Sequence, residues 1–189
     1  MRLNRGMETD DVERKMDLDL GPEADDDFEA QEFDCHMNER AEVQDLEDLF
    51  AMDELSQDNP ARRAMVEQAV RDGHCSLVSN NAGQIVAYGI FDYSYSRKQG
   101  FVHLIHVHAE HRHDGVGTDM LMSFESTCST QHIYCAVPRS NLAAIELVRR
   151  AGYVQAKKVP QRGNPKDPET VYVKDIWAPT PYLLPDTVQ

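Results

Sequence analysis

The hydrophobic periodicity changes abruptly at Gly73, and this change constrains the fold more than any other feature of the sequence. Before it, apolar residues recur at helical spacing within residues 43–50 and again within residues 65–70. After it, residues 74–95 (HCSLVSNNAGQIVAYGIFDYSY) and 101–109 (FVHLIHVHA) are rich in β-branched and aromatic residues. The sequence therefore predicts two helices followed by three strands that pair as an antiparallel meander.

The two helices have recognisable limits in the sequence. The apolar residues of the first fall between Asn38 and Leu55, which predicts one amphipathic helix over that range. The second is predicted to begin at Asn59, a good N-cap, with Pro60 at the first helical position, and to end at Gly73. Upstream, FEAQEF (28–33) predicts a short first strand.

Strands and helices alternate in the second half of the chain. Residues 115–128 predict a helix, residues 132–137 a strand, and residues 140–152 a helix capped by Ser140 or Asn141. Two strands, 153–159 and 169–176, follow around the loop PQRGNPKDP. The buried face of the helix at 115–128 is predicted to contain Val116, Met120, Leu121, Phe124 and Cys128. This order predicts an α+β fold, a mixed and mostly antiparallel twisted sheet flanked by about four helices.

The negative charge is concentrated in the first third of the chain. The net charge is −14, but residues 1–60 contain 21 acidic and 5 basic side chains, whereas residues 61–189 are slightly basic. Residues 1–27 are predicted to be an acidic flexible leader, residues 28–178 the folded domain, and residues 179–189 a proline-broken tail. Such a leader can attract a cationic substrate or act as an interaction segment.

Composition excludes several classes of protein. No apolar run reaches the roughly 20 residues that a membrane span requires. The four cysteines form no CxxC pair, which favours reduced thiols and a cytoplasmic location. No basic stripe interleaved with aromatic residues is present, so nucleic acid is not an expected partner. The oligomeric state is left open.

A glycine-containing loop follows the third predicted strand of the meander. HRHDGVG (111–117) leads into a predicted helix, where glycines let a phosphate approach backbone N–H groups at the positive end of the helix dipole. Arg112 adds a forked donor for phosphate oxygens. The loop lacks the Gly-Lys-Ser/Thr of a P-loop and the third glycine of a dinucleotide fingerprint. A tight turn without ligand remains the simpler interpretation of these residues alone.

Two motifs in the same order resemble those of the GNAT superfamily of N-acetyltransferases. VHAEHRHDGVG (107–117) resembles that family's V-x-P-E-x-R-x-x-G-x-G segment, with Ala109 in place of proline. NLAAIELVRRAGY (141–153) resembles its second motif, N-x-x-A-x-x-L-Y-x-x-x-G-F. The resemblance implies an acetyl-CoA-dependent N-acetyltransferase that transfers an acetyl group to a primary amine by direct attack on the thioester.

The resemblance also implies where acetyl-CoA would bind. The two middle strands, ending near Val107 and formed by HIYCAV, would splay apart in a V, and the Val107 N–H would stabilise the oxyanion. Asn141 would contact the pantetheine arm from the far side. The pyrophosphate would lie on the loop formed by Arg112, His113, Asp114, Gly115, Val116 and Gly117.

The resemblance nominates a general base but lacks the usual general acid. His103 falls where the arylalkylamine acetyltransferase branch carries a histidine, and strand alternation predicts one face for His103, Ile105 and Val107. His106 and His108 are then expected on the opposite face, as packing or surface residues. Val148 occupies the position of the tyrosine that often protonates the leaving thiolate, which leaves water, another group such as Tyr134 or Tyr153, or no acid at all.

Three alternatives stay open. One is a catalytically weak or inactive acetyl-CoA-binding relative that acts through its acidic segment as an interaction module. A zinc site built from the five histidines between positions 103 and 113 is disfavoured, since alternation and the loop separate them, and no metal is expected. The amine acceptor is left open between a small molecule, cationic or not, and a protein lysine or N-terminus.

Overall fold

The computed structural model describes residues 36–95, 98–156 and 162–177, which form a single mixed sheet with helices on both faces. The helices are α1 (Leu46–Met52), α2 (Glu54–Gln57), α3 (Pro60–Asp72), α4 (Val116–Thr127) and α5 (Leu142–Arg150). The strands are β1 (His36–Arg40), β2 (Cys75–Ser79), β3 (Ile85–Tyr95), β4 (Gln99–Val107), β5 (His132–Pro138), β6 (Val154–Gln155), β7 (Arg162–Asn164) and β8 (Asp167–Asp175). No helix within these ranges is both long and apolar enough to cross a bilayer.

Local capping explains why the longest helix begins and ends where it does. The Asn59 side chain accepts a hydrogen bond from the Arg62 N–H at 3.1 Å, and Pro60 follows at the first helical position. The helix ends at Gly73, which adopts a left-handed conformation with φ +74°. Both predicted limits of α3 are confirmed.

The strand order in the sheet is β1-β2-β3-β4-β5-β8-β6, with β7 added to β8. Every neighbouring pair is antiparallel except β4 and β5, which run parallel. The parallel ladder contains three residue pairs and ends at Val102 opposite Cys135, although β4 continues to Val107 and β5 to Pro138. The two middle strands therefore separate in a V, and the predicted fold class is confirmed.

Two apolar clusters lie on opposite faces of the sheet. On one face α4 and α5 pack on the middle strands, with Met120, Leu121, Ile133 and Val148 among the buried residues. On the other face α1 and α3 pack on β2 and β3. All five residues predicted for the inner face of α4 are buried.

Two predicted elements are wrong in part. Residues 36–40 form the edge strand β1, so the helix predicted to start at Asn38 begins only at Leu46, after a 3-10 turn, and is broken again at Asp53. The loop predicted at 160–168 contains β7, which forms a hairpin with β8. The leader (1–27), the strand predicted at 28–33 and the tail (179–189) lie outside the described residues.

Candidate functional site

The gap between β4 and β5 exposes a backbone amide. The N–H of His108 donates to the Val86 carbonyl on β3 at 2.8 Å. Since successive amides of a strand point to opposite edges, the Val107 N–H points toward β5, beyond the last paired residues. The Val107 carbonyl points the same way and accepts a hydrogen bond from Arg112 Nε at 3.1 Å. A donor is thus aimed into the gap, as an oxyanion site requires.

The loop after β4 brings the start of α4 to the same gap. A 3-10 turn (Ala109–His111) is followed by His113 and Gly115, both with positive φ, at +74° and +86°. Gly115 is the N-cap of α4, so the N–H groups of Val116 and Gly117 have no carbonyl one turn earlier within the helix. Arg112, His113 and Asp114 are exposed around these amides. The arrangement suits an anionic group at a helix N-terminus.

Gly117 and Asn141 border the gap from its two sides. A Cβ atom on Gly117 would lie 3.6 Å from both Val107 Cγ2 and Leu147 Cδ2, so the residue lies between β4 and α5. Asn141 is the N-cap of α5, and its Oδ1 accepts from the Ala144 N–H at 3.1 Å. Its side-chain amide nitrogen remains as a donor. Gly117 thus lies at the end of β4 beside α5, and Asn141 lies at the start of α5, which follows β5 in the chain.

A β-bulge moves His103 to a different face from the one predicted. Ile90 pairs with Leu104 and Phe91 pairs with Val102, which leaves His103 as the extra residue of β4. Ile105 and Val107 pack toward α4 and α5, whereas His103 lines a groove of about 180 Å³ beside α3. The prediction that these three side chains share a face is wrong, because the bulge interrupts the alternation.

His103 is held by an acidic partner on β3. Its Nε2 lies 2.9 Å from Asp92 Oδ1 and 3.2 Å from Ser94 Oγ. Burial by itself raises the pKa of Asp92, but hydrogen bonds from Ser94 and His103 outweigh it, so the pKa is lowered. The carboxylate thus favours a proton on Nε2 and leaves the lone pair on Nδ1. His103 is four residues from Val107, about 13 Å along the strand.

His106 belongs to a buried polar network that sequence reasoning missed. Asp53, at the junction of α1 and α2, is 0% exposed. Its Oδ2 accepts from Arg62 Nε at 2.5 Å and from Tyr88 Oη at 2.6 Å. Its Oδ1 accepts from the Leu55 N–H at 3.2 Å and lies 3.5 Å from His106 Nδ1. These contacts connect the α1–α2 junction, α3 and β3 to His106, the residue before Val107.

One signal for Asp53 was present in the sequence. Leu46 and Leu49 form an apolar stripe at spacing i, i+3, and Asp53 continues it at i+7. A carboxylate on an apolar stripe must find partners on folding, since an unpaired buried charge is strongly unfavourable. The partner of Asp53 is Arg62, nine residues away on α3, and the spacing of apolar residues does not identify it.

Neither tyrosine considered as a general acid lies at the gap, and Val148 occupies the usual position of that acid. Val148 is 4% exposed in the core under α5. Tyr134 pairs with Phe101 in the closed part of the ladder. Tyr153 is buried near Glu125, nine residues or about 13 Å along α4 from Val116. Burial, and then the Glu125 charge, raise the pKa of Tyr153.

The remaining loop histidines do not form a cluster of ligands. His108 Nδ1 accepts from the Glu110 N–H at 3.4 Å, and His111 Nδ1 lies 3.9 Å from Asp114 Oδ2. Within 36–95, 98–156 and 162–177, no three His, Cys, Asp or Glu side chains are arranged to hold a metal ion.

Comparisons with known proteins find one matching family model and several solved structures of similar fold. A family model described as the acetyltransferase (GNAT) family matches residues 40–153. No curated protein matches the chain significantly. A GNAT-family acetyltransferase from Bacillus cereus is 22% identical with a TM-score of 0.63, covering 73% of this chain and 95% of its own. Ard1 from Thermoplasma volcanium is 19% identical with a TM-score of 0.62, covering 72% and 95%.

A third solved structure contains a substrate and coenzyme A. The diaminobutyrate acetyltransferase EctA from Paenibacillus lautus, in complex with L-2,4-diaminobutyric acid and coenzyme A, is 16% identical with a TM-score of 0.56. The match covers 76% of this chain and 96% of that enzyme. At these identities the three structures establish a common fold.

Proposed function

Because the chain belongs to the GNAT acetyltransferase family, we propose that it transfers an acetyl group from acetyl-CoA to a primary amine. The observation that carries the proposal is the V between β4 and β5, with the Val107 N–H aimed into it and the N-terminus of α4 beside it. These features supply an oxyanion donor and an anion site within one opening. We propose a cytoplasmic enzyme that needs no metal.

The binding residues have separate tasks in this proposal. The pyrophosphate binds to backbone N–H groups of the loop, since no side chain intervenes at the glycines. The residues of this loop are His113, Asp114, Gly115, Val116 and Gly117. Arg112 keeps its Nη groups for phosphate oxygens while its Nε fixes the end of β4 through Val107. Asn141 offers its amide N–H groups to the pantetheine arm from the β5 side.

The proposed reaction is direct attack of the amine on the thioester, with the Val107 N–H as the donor that stabilises the oxyanion. The amine nitrogen attacks the thioester carbonyl, the carbonyl electrons move to oxygen beside the Val107 N–H, and the C–S bond then breaks. The nitrogen must lose a proton. His103, oriented by Asp92, lies about 13 Å along β4 from Val107, so water would have to carry this proton to it. Thiolate is a good enough leaving group to depart without a protein acid, which fits the buried Val148.

A cationic acceptor is the class we propose. The first 60 residues carry most of the negative charge, and opposite charge raises the local concentration of a substrate. The related EctA enzyme binds an amino acid with a second amine. Polyamines, diamino acids and lysine-containing peptides are therefore the first acceptors to test.

The proposal predicts that purified protein releases free CoA thiol from acetyl-CoA when a suitable amine is present. A panel of polyamines, diamino acids, amino sugars and peptides with a free lysine or N-terminal amine, followed by mass spectrometry of the product, identifies the acceptor. Stability of the product to mild alkali distinguishes an amide from an ester. Acetyl-CoA binding without turnover of any amine would favour the inactive alternative, and absence of binding would contradict both.

Tyr153 gives a prediction about the leaving group. We expect Tyr153→Phe to leave kcat unchanged within about twofold, because its hydroxyl is buried near Glu125 rather than in the gap. The measurement is steady-state acetyl transfer across pH 6 to 10. A loss of kcat confined to high pH would instead make Tyr153 a proton donor to the thiolate.

A further inference from the structure

His106 and His108 flank Val107 in the sequence, and His108 Nδ1 accepts from the Glu110 N–H in the turn after β4, which leaves His106 as the candidate. Consecutive Cα atoms are 3.8 Å apart, whereas His103 lies about 13 Å along the strand. His106 faces α1 and α3, and the Val107 N–H lies in the plane of the sheet toward β5. If the thioester oxygen accepts from the Val107 N–H, its carbonyl carbon would lie close to the residue that carries this imidazole.

A base at this position must be oriented, and the Asp53 network does so. The Asp53 carboxylate is fixed by Arg62, Tyr88 and the Leu55 N–H, so its Oδ1 has a defined place 3.5 Å from His106 Nδ1. The Tyr88 ring packs 5.7 Å from the imidazole, centroid to centroid. A buried ion pair contributes little net stability compared with apolar packing, so its placement against His106 calls for another explanation.

We propose that His106 takes the proton from the acceptor amine during attack on the thioester, with Asp53 as its positioning residue. The inference rests on the proposed function, because it assumes that the thioester oxygen lies at the Val107 N–H. In this proposal the proton stays on Nδ1, which lies 3.5 Å from both Asp53 Oδ1 and Arg62 Nη2, and Nε2 keeps its lone pair for the amine.

The protonation state of His106 suits this role. Burial lowers its pKa, the Asp53 charge raises it, and a hydrogen bond to the Met52 carbonyl also favours the protonated ring. The balance is a lowered pKa, so the ring is neutral at pH 7. The charged and titratable groups that face it are Asp53 from the α1–α2 junction, Arg62 from α3, Tyr88 from β3 and Arg112 from the loop after β4.

The step balances without another reactant. The ammonium first gives one proton to His106 Nε2, which releases it to water. The neutral nitrogen then forms the new C–N bond, the carbonyl π electrons move to the oxygen, and the second proton passes from the nitrogen to Nε2. Collapse of the intermediate restores the carbonyl and breaks the C–S bond, and the electron pair leaves on sulfur. The proton on His106 then passes to the thiolate or to water, which returns the neutral ring.

The test compares His106→Gln with His103→Gln. We expect His106→Gln to lower kcat/KM for the amine about 100-fold at pH 7, the scale of lost general-base catalysis. The loss should shrink as the pH approaches the pKa of the amine, which then arrives neutral. His103→Gln should cause a smaller change with an unaltered pH profile, and neither variant should change the Kd of acetyl-CoA more than about twofold.

Several outcomes separate this inference from the function on which it rests. Wild-type protein that acetylates no amine contradicts the proposed function. Active wild-type protein with an unchanged pH profile in His106→Gln contradicts only the role of His106, as does a loss confined to His103→Gln. Weaker acetyl-CoA binding by His106→Gln would mean that the ring shapes the site, which also overturns the inference.

A second measurement does not depend on a variant folding. ¹⁵N-detected NMR of the histidine rings in the wild-type protein should show His106 neutral at pH 7 with its proton on Nδ1. A proton on Nε2, or a charged ring at pH 7, would overturn the proposal.

For Asp53, Asp53→Asn assayed below its unfolding temperature should change the pH profile in the same direction as His106→Gln. An unchanged profile would remove Asp53 as a positioning residue.

Discussion

The G117W variant should lose acetyl-CoA binding, with Kd raised at least about 100-fold, or about 2.7 kcal/mol. Gly117 lies between β4 and α5, where even a Cβ atom already comes within 3.6 Å of Val107 Cγ2 and Leu147 Cδ2. An indole has no room inward and therefore fills the opening in front of the α4 N-terminus. Isothermal titration calorimetry with CoA measures the effect directly.

Met122→Trp provides a matched control on the same helix. Met122 is 57% exposed on α4, so the added ring projects into solvent and the Kd should stay within about twofold. Both variants should keep a cooperative thermal unfolding transition. Wild-type affinity in G117W would show that the phosphates do not bind at this loop.

The Asp53→Asn variant should lower the free energy of unfolding by about 3–5 kcal/mol at pH 7, the cost of breaking a buried ion pair from one side. The amide is nearly the same size, so packing is retained, but Arg62 keeps its charge with only 15% of its side chain exposed. Urea unfolding followed by circular dichroism measures the change. Glu67→Gln, which removes an exposed i,i+4 pair with Arg71, should change it by less than about 0.5 kcal/mol.

The pH dependence of this effect has a definite sign. Burial alone raises the pKa of Asp53, but hydrogen bonds from Arg62 and Tyr88 and the nearby positive charges outweigh it, so the folded-state pKa lies below 3.8. The carboxylate therefore stabilises the fold above pH 3.8, and this contribution is lost as the pH falls through the folded-state value. The difference between wild type and Asp53→Asn should narrow below pH 4. A difference that grew below pH 4 would contradict the lowered pKa of Asp53.

Helices and strands were predictable from the sequence where a single hydrophobic periodicity extends over the whole element. The caps of α3 and the buried face of α4 follow from residues within one helix, and the glycine loop follows from local backbone chemistry. The edge strand β1 was missed because HMNER has no strand pattern, and it is a strand through its pairing with β2. Pairing between distant segments is not encoded in the spacing of either one.

The site was predictable in its backbone and not in its side chains. The Val107 amide and the loop around Gly115 depend on element order alone. The face of His103 depends on a one-residue bulge, and the place of His106 depends on Asp53, Arg62 and Tyr88, which come from three separate segments. Such contacts form only when the sheet and helices close on each other.

The short parallel ladder between β4 and β5 also affects how the domain opens. It joins two antiparallel halves of the sheet through three residue pairs, fewer than the antiparallel ladders of β4 with β3 and β5 with β8. Local unfolding that separates the halves breaks the fewest ladder pairs there, so these amides should exchange with solvent earlier than those of β3 and β8. A ligand lying in the gap contacts both halves at once, which makes binding and the cohesion of the sheet thermodynamically linked.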